Sequence, residues 1–466
     1  MKTQEGIKMD QQILHDDKKL QKAFFNFLIP VMLANVLQSL GQVFGMFIVG
    51  RNLGVDALAA ISAFFPFFFF LMAFAIGIGS GSSILVGQTY GAGNHEKMKE
   101  VVGVTLAFTT ILSIIVAIFG GFFIEWILRF MQTPANILDM SISYAQILFF
   151  TLPIMFWYMV YTTFMRGVGD SKTPFLFLVI SVILNIAFLP PLVFGWFGLP
   201  EFGLNGAAYA SVLSNLVTML LLLAYLHKTK HILRLDKSIL QHFKLKKDIL
   251  ASLLKLAIPS SISMVAISVA EIAVIGFVNV YGSYATAAYG VVNQVASYAQ
   301  VPAMSIAIAT SVFVAQALGA NSTEMIKKIR QLGVLINYIL GGAIILIMYL
   351  FAEPILSFFI DKQDTVLIAK NYLYIAFWSY LIFGHTQTVS ATMRATGVVL
   401  WPTIFLVIAI WVVEVPLAFI LSHYTTFELN GVWIAYPITF CVHFVLQYAY
   451  FKLGWQKRTL KAMLSD

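Results

Sequence analysis

LVGQTYGAGN, residues 85–94, returns as FVAQALGAN at residues 313–321, with Gln88 over Gln316 and Gly91 over Gly319, an offset of 228. Other landmarks share that offset. FMRGVG (164–169) falls on TMRATG (392–397), Pro174 on Pro402, Glu125 on Glu353 and Gly54 on Gly282. Pro30 meets Pro259 at 229, and LNGAAYA (204–210) meets LNGVWIA (429–435) at 225. A register held over most of a half-chain marks an internal repeat, and a repeat constrains the architecture before any local reading does.

Composition says where the repeats sit. The 466 residues are 60% hydrophobic and 11% charged, against roughly 25% charged for a soluble protein. Residues 57–94, 101–124 and 272–323 carry no Asp, Glu, Lys or Arg. Each run exceeds the ~20 apolar residues that cross a ~30 Å hydrocarbon core as a helix. The ~10-residue alternating strands of a membrane β-barrel are not found. The chain reads as an all-α polytopic membrane protein with spans near 24–50, 57–86, 101–125, 138–165, 172–196, 203–227, 253–281, 284–317, 328–352, 366–393, 400–421 and 429–451. The lone cysteine, Cys441, rules out a disulfide within the chain and gives no basis for a thiolate metal site. The first ~20 residues are polar and lack a cleavable signal pattern, so the first helix is expected to serve as its own insertion signal.

The net charge of +8 is distributed as a topology signal and not as a nucleic-acid surface. With both termini on one side of twelve spans, that side receives 25 of the 29 Lys and Arg. Only Arg51, Arg129, Lys362 and Lys370 fall on the other side. The positive-inside rule then places both termini in the cytoplasm. The expected organisation is a cytoplasmic segment 1–20, a six-helix bundle 21–227, a basic cytoplasmic linker 228–250, a second bundle 251–452 and a tail 453–466. Six is even, so the two halves enter the membrane in the same orientation. Parallel repeats of this kind build transporters that hold cargo near the midplane and alternate access by rocking.

VGQTYGAGN after the second span, MRGVGDSKTP after the fourth and LNGAAYASVLSN opening the sixth, each with its second copy, resemble the multidrug and toxic compound extrusion (MATE) family over residues 20–452. The resemblance implies V-shaped paired bundles in the plasma membrane, acting as a monomer. It implies export of amphipathic, often cationic, drugs against inward H⁺ or Na⁺, without a cofactor. It also implies carboxylates inside the bundles. The first half departs from that pattern, because Gly45 stands where many members have an aspartate and Leu189 replaces the acid of the N-x-x-x-D-P pattern. Asn185 and Ser211 keep polar positions of the same cluster. In the second half Glu271 matches the family's glutamate on the seventh span, and its repeat counterpart is Gln42.

An isolated acid at a helix centre costs ~2.5–3.5 kcal/mol on insertion scales and persists where it faces a cavity or a partner. Glu271, alone in ISVAEIAVIGFVN (267–279), is therefore the first candidate for cation coupling. The alternative is a carboxylate that pairs with a buried polar group and only locks packing. Glu414, in VVEVPL before Pro416, and His385, whose residue type titrates near neutrality, are the second and third candidates. For each of these two a structural role competes. Gln42, Asn185, Ser211, Tyr289, Asn293, Gln294 and Tyr298 are candidate substrate-binding residues, and no metal ligand set is defined. FFPFFFF (64–70) is expected mostly in packing or against lipid. The Gln-x-x-Gly turns at 88–91 and 316–319 are expected to be glycine caps of helix ends. Rival cargoes are a lipid-linked sugar, which usually needs basic residues in the cavity, and a small organic metabolite. A membrane enzyme is the remaining rival, but HExxH, GxSxG and P-loop patterns are all missing.

Overall fold

The computed structural model describes residues 16–359 and 362–464, apart from the side chains of Gln42 and Val43. Most of the segment 1–20 lies outside that range. Among the described residues, eleven helices are long and apolar enough to cross a membrane. The first, α1 (Asp17–Gly91), is 75 residues long and is two spans joined at Gly54 (φ 84°, ψ −176°). It gives the expected twelve. The dihedrals repeat where the sequence does. Gly282, opposite Gly54, has φ 90° and ψ 178°. Gly169 and Gly397 have φ 84° and 83°, and Gly93 and Asn321 have 73° and 56°. The end of α1 closes with Asn94 N–H on Thr89 C=O and Gly93 N–H on Tyr90 C=O; the second copy closes with Ser322 on Ala317 and Asn321 on Leu318. This is a left-handed C-terminal cap. The left-handed residue is thus Gly93 or Asn321, two positions beyond the Gln-x-x-Gly glycine expected to supply it.

The chain divides into two units: residues 29–258, and residues 16–28 with 259–464. The first contains α2 (His95–Phe130), α3 (Ala135–Gly167), α4 (Lys172–Phe194), α5 (Gly203–Lys228) and the short α6 (Lys237–Gln241). Here α2 packs on α3, α4 on α5, and α3 on α5. The outward face of α2 carries Phe119, Phe122, Phe123 and Trp126, all more than half exposed. Such a face is stable only against hydrocarbon. FFPFFFF divides as expected: Phe64 is buried against Phe149, while Phe65 and Phe70 are exposed.

Residues 228–250, read as a linker, are fastened to the first unit. Asp236 caps α6 through Ile239 N–H (3.1 Å) and pairs with Lys99 (2.9 Å) and Arg234 (3.6 Å). Lys246 pairs with Glu100, which also holds Lys97 (3.0 Å). Phe243 lies against Trp157, with ring centroids 6.3 Å apart. Gly103 admits the strap, since a Cβ there would stand 2.8 Å from the His242 backbone. Asp170, read as a loop charge, accepts Lys172 N–H (3.1 Å) and Thr173 N–H (3.0 Å) and faces buried His231 (3.6 Å). Burial pushes the Asp170 carboxyl up, but the hydrogen bonds from His231 and Thr173 outweigh it and hold it below the usual aspartate range.

The second unit contains α7 (Lys247–Asn279), α8 (Ser283–Gly319), α9 (Thr323–Leu350), α10 (Ala352–Ser357), α11 (Gln363–Ala376), α12 (Tyr380–Ala395), α13 (Leu400–Ile408), α14 (Val415–Tyr424) and α15 (Leu429–Leu453). The first residues of α7, up to Ile258, belong to the first unit. The most buried span is α8, which packs against α9, α11 and α12. Residues 409–414, between α13 and α14, form a π-helical turn that ends on Glu414.

Candidate cation and drug site

Five helices and the π turn of the second unit place the polar groups of the site. On α8, Tyr289, Asn293 and Gln300 fall within about 40° of one another around the helix axis. Tyr289 is 3% exposed, and its hydroxyl meets the Tyr436 hydroxyl of α15 at 3.0 Å. Tyr372 of α11 donates its hydroxyl to Asn293 Oδ1 at 3.0 Å. The rings beneath are stacked: Tyr372 lies 4.2 Å from Trp433 and 6.0 Å from Tyr289, with interplanar angles of 12° and 8°. Trp433 is fully buried. The side chain of Gln300 reaches the Tyr380 hydroxyl at the start of α12. A rigid aromatic floor with hydroxyls and amides on top is the result.

Two carboxylates face this floor. Glu414 is 7% exposed at the end of the π turn. A π turn carries one more residue per turn than an α turn and often marks functional positions. Pro416 follows and offers no backbone N–H, so a carbonyl one turn back has no amide opposite it. Glu271 is exposed on α7, beside the buried ridge Ala270, Val274 and Val278. Glu271 and Glu414 are within Coulombic reach of each other. Both also act on Tyr289 and Tyr380. No basic side chain contributes to the charge felt by either carboxylate among the described residues.

The remaining sequence candidates are placed differently. His385, on α12, has other neighbours: its Nδ1 meets the Tyr338 hydroxyl at 2.9 Å, its ring packs on Phe444 at 5.0 Å, and the nearby charge is Arg330. Gln294 and Tyr298 are half-buried on α8, but lie about 100–180° around the helix from the Tyr289, Asn293 and Gln300 face. In the first unit, Asn185 donates to Ser211 Oγ (3.3 Å) and Ser214 Oγ (3.5 Å) beside buried Leu189. That trio is polar and uncharged. Gln42 lies on α1, and its side chain is outside the described residues.

Sequence reasoning missed Tyr372, Trp433 and Tyr436. A signal for one of them was present, because the 225 register that pairs Leu189 with Glu414 also pairs Ser211 with Tyr436. The LNG motifs receive a packing explanation. Gly206 lets α5 lie directly on the Leu192 backbone, and Gly431 does the same for α15 on Leu421.

The MatE family model matches residues 30–190 and 259–420, one match in each repeat. A probable multidrug resistance protein of Bacillus subtilis, YoeA, is 54% identical over 438 residues, covering 94% of this chain and 95% of its own length. The probable multidrug resistance protein NorM of Thermotoga maritima is 23% identical, covering 95% and 94%. Among solved structures, a MATE transporter in complex with MaD3S superposes with a TM-score of 0.86 at 26% identity, covering 96% and 98%. A Pyrococcus furiosus transporter of the MOP superfamily, whose binding pocket of reversed polarity suggested a different function, gives 0.86 at 26% identity, covering 97% and 100%.

Proposed function

Because this chain belongs to the MatE family of membrane transporters, we propose that it exports organic, mostly cationic and amphipathic compounds in exchange for inward H⁺ or Na⁺ by alternating access. The relatives named as multidrug resistance proteins support the cargo class. The observation that carries the charge preference is the site itself: two carboxylates within Coulombic reach of the aromatic cluster, with no basic side chain among the described residues acting on them. Such a surface attracts a delocalised cation by charge and by ring contact, each cation–π contact contributing about 0.5–2 kcal/mol. It repels a pyrophosphate-linked sugar. Both termini are assigned to the cytoplasm from the Lys and Arg distribution, and the bilayer to the plasma membrane.

Glu271 is the coupling residue in this reading. Ionised, it holds the cation; neutralised by a proton, it releases it. The test is ethidium transport by purified protein in liposomes, wild type against Glu271→Gln, under an imposed pH gradient and separately under an imposed Na⁺ gradient. Gradient-driven transport lost in the variant is the expected result, and the effective gradient names the ion. Undiminished transport by Glu271→Gln refutes the assignment.

A further inference from the structure

Two arginines close helices at matching places in the repeat. Arg166 lies in the last turn of α3 and Arg394 in the last turn of α12, 228 residues apart. A guanidinium is always charged, and a long basic side chain at the end of a span normally turns its head out to water. Arg394 does not. Its Nε is buried and has no hydrogen-bond acceptor. Its Nη2 donates to Gln387 Oε1 over a long 3.4 Å. No acidic side chain among the described residues acts on it. The turn that follows lies under the C-terminal tail, where Trp455 donates its indole N–H to Thr396 Oγ1 at 2.9 Å and a Cβ at Gly397 would stand 3.1 Å from Met463 Sδ. From α15, His443 comes within Coulombic reach of Arg394; it is 4% exposed, and its Nε2 is also buried without a partner. Gln447, one turn further on, ties α15 to α12 by donating Nε2–H to the Thr386 carbonyl (3.2 Å) and to Ser390 Oγ. Its Oε1 is a third buried atom without a partner.

A guanidinium taken from water without a counter-ion is among the costliest groups a protein interior can hold. We propose that Arg394 and His443 form an anion-binding site between α12 and α15, filled by one small anion. Water alone could satisfy the N–H groups but would leave the charge uncompensated. A hydrated anion employs all three orphan atoms: Arg394 Nε–H and, with the imidazole proton on Nε2, His443 donate to the ion, and Gln447 Oε1 accepts from its water. Guanidinium N–H groups suit oxyanions such as phosphate. A dissolved anion and the phosphate of a membrane lipid share this chemistry. In the first unit no acid among the described residues acts on Arg166 either, but Thr218 stands at the repeat position of His443, so the pair of donors belongs to the second unit. The inference does not depend on which cargo the protein carries.

An anion that binds the folded protein must stabilise it by mass action. The experiment measures the melting temperature of the purified full-length protein, freed of lipid in detergent, by tryptophan fluorescence. Ionic strength is held constant with sodium gluconate, whose bulk keeps it out of an enclosed site. Sodium bromide, inorganic phosphate and phosphatidylglycerol are titrated in separately. For the wild type, at least one of them is expected to raise the melting temperature along a saturating curve. A response to bromide or inorganic phosphate supports a dissolved ion, and a response to phosphatidylglycerol alone supports a lipid phosphate. Arg394→Gln should abolish the response. Arg394→Lys, which keeps the charge and loses the planar fork, should raise the midpoint concentration by roughly tenfold. Loss of a buried charge alters stability by itself, so the readout is the dependence on anion and not the starting melting temperature. A wild-type melting temperature that none of the three moves, or a response that Arg394→Gln retains, overturns the proposal.

Discussion

Gly431→Ala tests whether the LNG motif is a helix-crossing device. A Cβ at Gly431 would stand 2.5 Å from the Leu421 carbonyl carbon, 2.6 Å from its oxygen and 2.8 Å from its Cβ. Ordinary contact begins near 3.4 Å, so α14 and α15 must part by about 0.9 Å. Backbone atoms have no rotamer to yield, so the displacement spreads along both helices. Over-packing of this kind costs about 1–3 kcal/mol. For a unit of this size each kcal/mol lowers the melting temperature by about 2–4 °C, giving a fall of roughly 2–12 °C. The protein supplies its own probe: Cys441, its one cysteine, sits partly buried on α15. A thiol-reactive fluorophore therefore reports unfolding of the helix that bears the substitution. Gly276→Ala is the control, because a Cβ there meets nothing within 4 Å. A Gly431→Ala protein that melts within 1 °C of the wild type refutes the close-approach argument.

Gly282→Ala places a side chain at φ 90°, ψ 178°, a region open essentially only to glycine, and should cost about 1–3 kcal/mol; the same assay, with Gly290→Ala unchanged, checks it. Tyr372→Phe removes the hydroxyl that donates to the half-buried Asn293 Oδ1, and should lower stability by about 0.5–1.5 kcal/mol, read as a fall in the melting temperature; an unchanged melting temperature would mean the bond is dispensable. Asp170→Asn should destabilise the first unit at neutral pH. The folded-state carboxyl lies below its unfolded value of about 3.9, so its stabilising contribution is present above that value and is lost as pH falls through the folded one. The stability gap between wild type and variant, followed by tryptophan fluorescence, should therefore close toward acid pH, and a gap that widens instead would contradict the assignment.

The spans and the repeat were legible because they rest on signals a single chain carries in full. A charge-free run of ~20 residues has one stable use, and Gly54 and Gly282 stand at equal offsets because both turn the backbone through the same conformation. Glu271 and Glu414 were legible because a carboxylate in hydrocarbon is costly. Tyr372 and Trp433 were not, because aromatic residues are common in membrane helices and only the stack of α8, α11 and α15 gives these two a role. The π turn left no sequence mark except Pro416. The docking of residues 228–250 was hidden for a related reason. A basic loop reads as solvated, and its acidic partners Glu100 and Asp170 are far away in sequence. His385 and Tyr298 show the converse: residue type suggested a role, but helix phase and neighbours set these side chains elsewhere.

The start of α1 carries a cost in time. Residues 16–28 group with the second unit, where Phe24 and Phe27 pack on Phe313 at 5.5 Å and 5.7 Å and Asp17 pairs with Lys328 at 2.9 Å. A ribosome adding about 5–20 residues per second needs roughly 15–60 s to travel from the first of these residues to the last. Throughout that interval the opening helical turns have no partner from their own unit. These opening turns are thus made about 300 residues before α8 and α9, the helices that receive them, and must wait in the membrane until those follow.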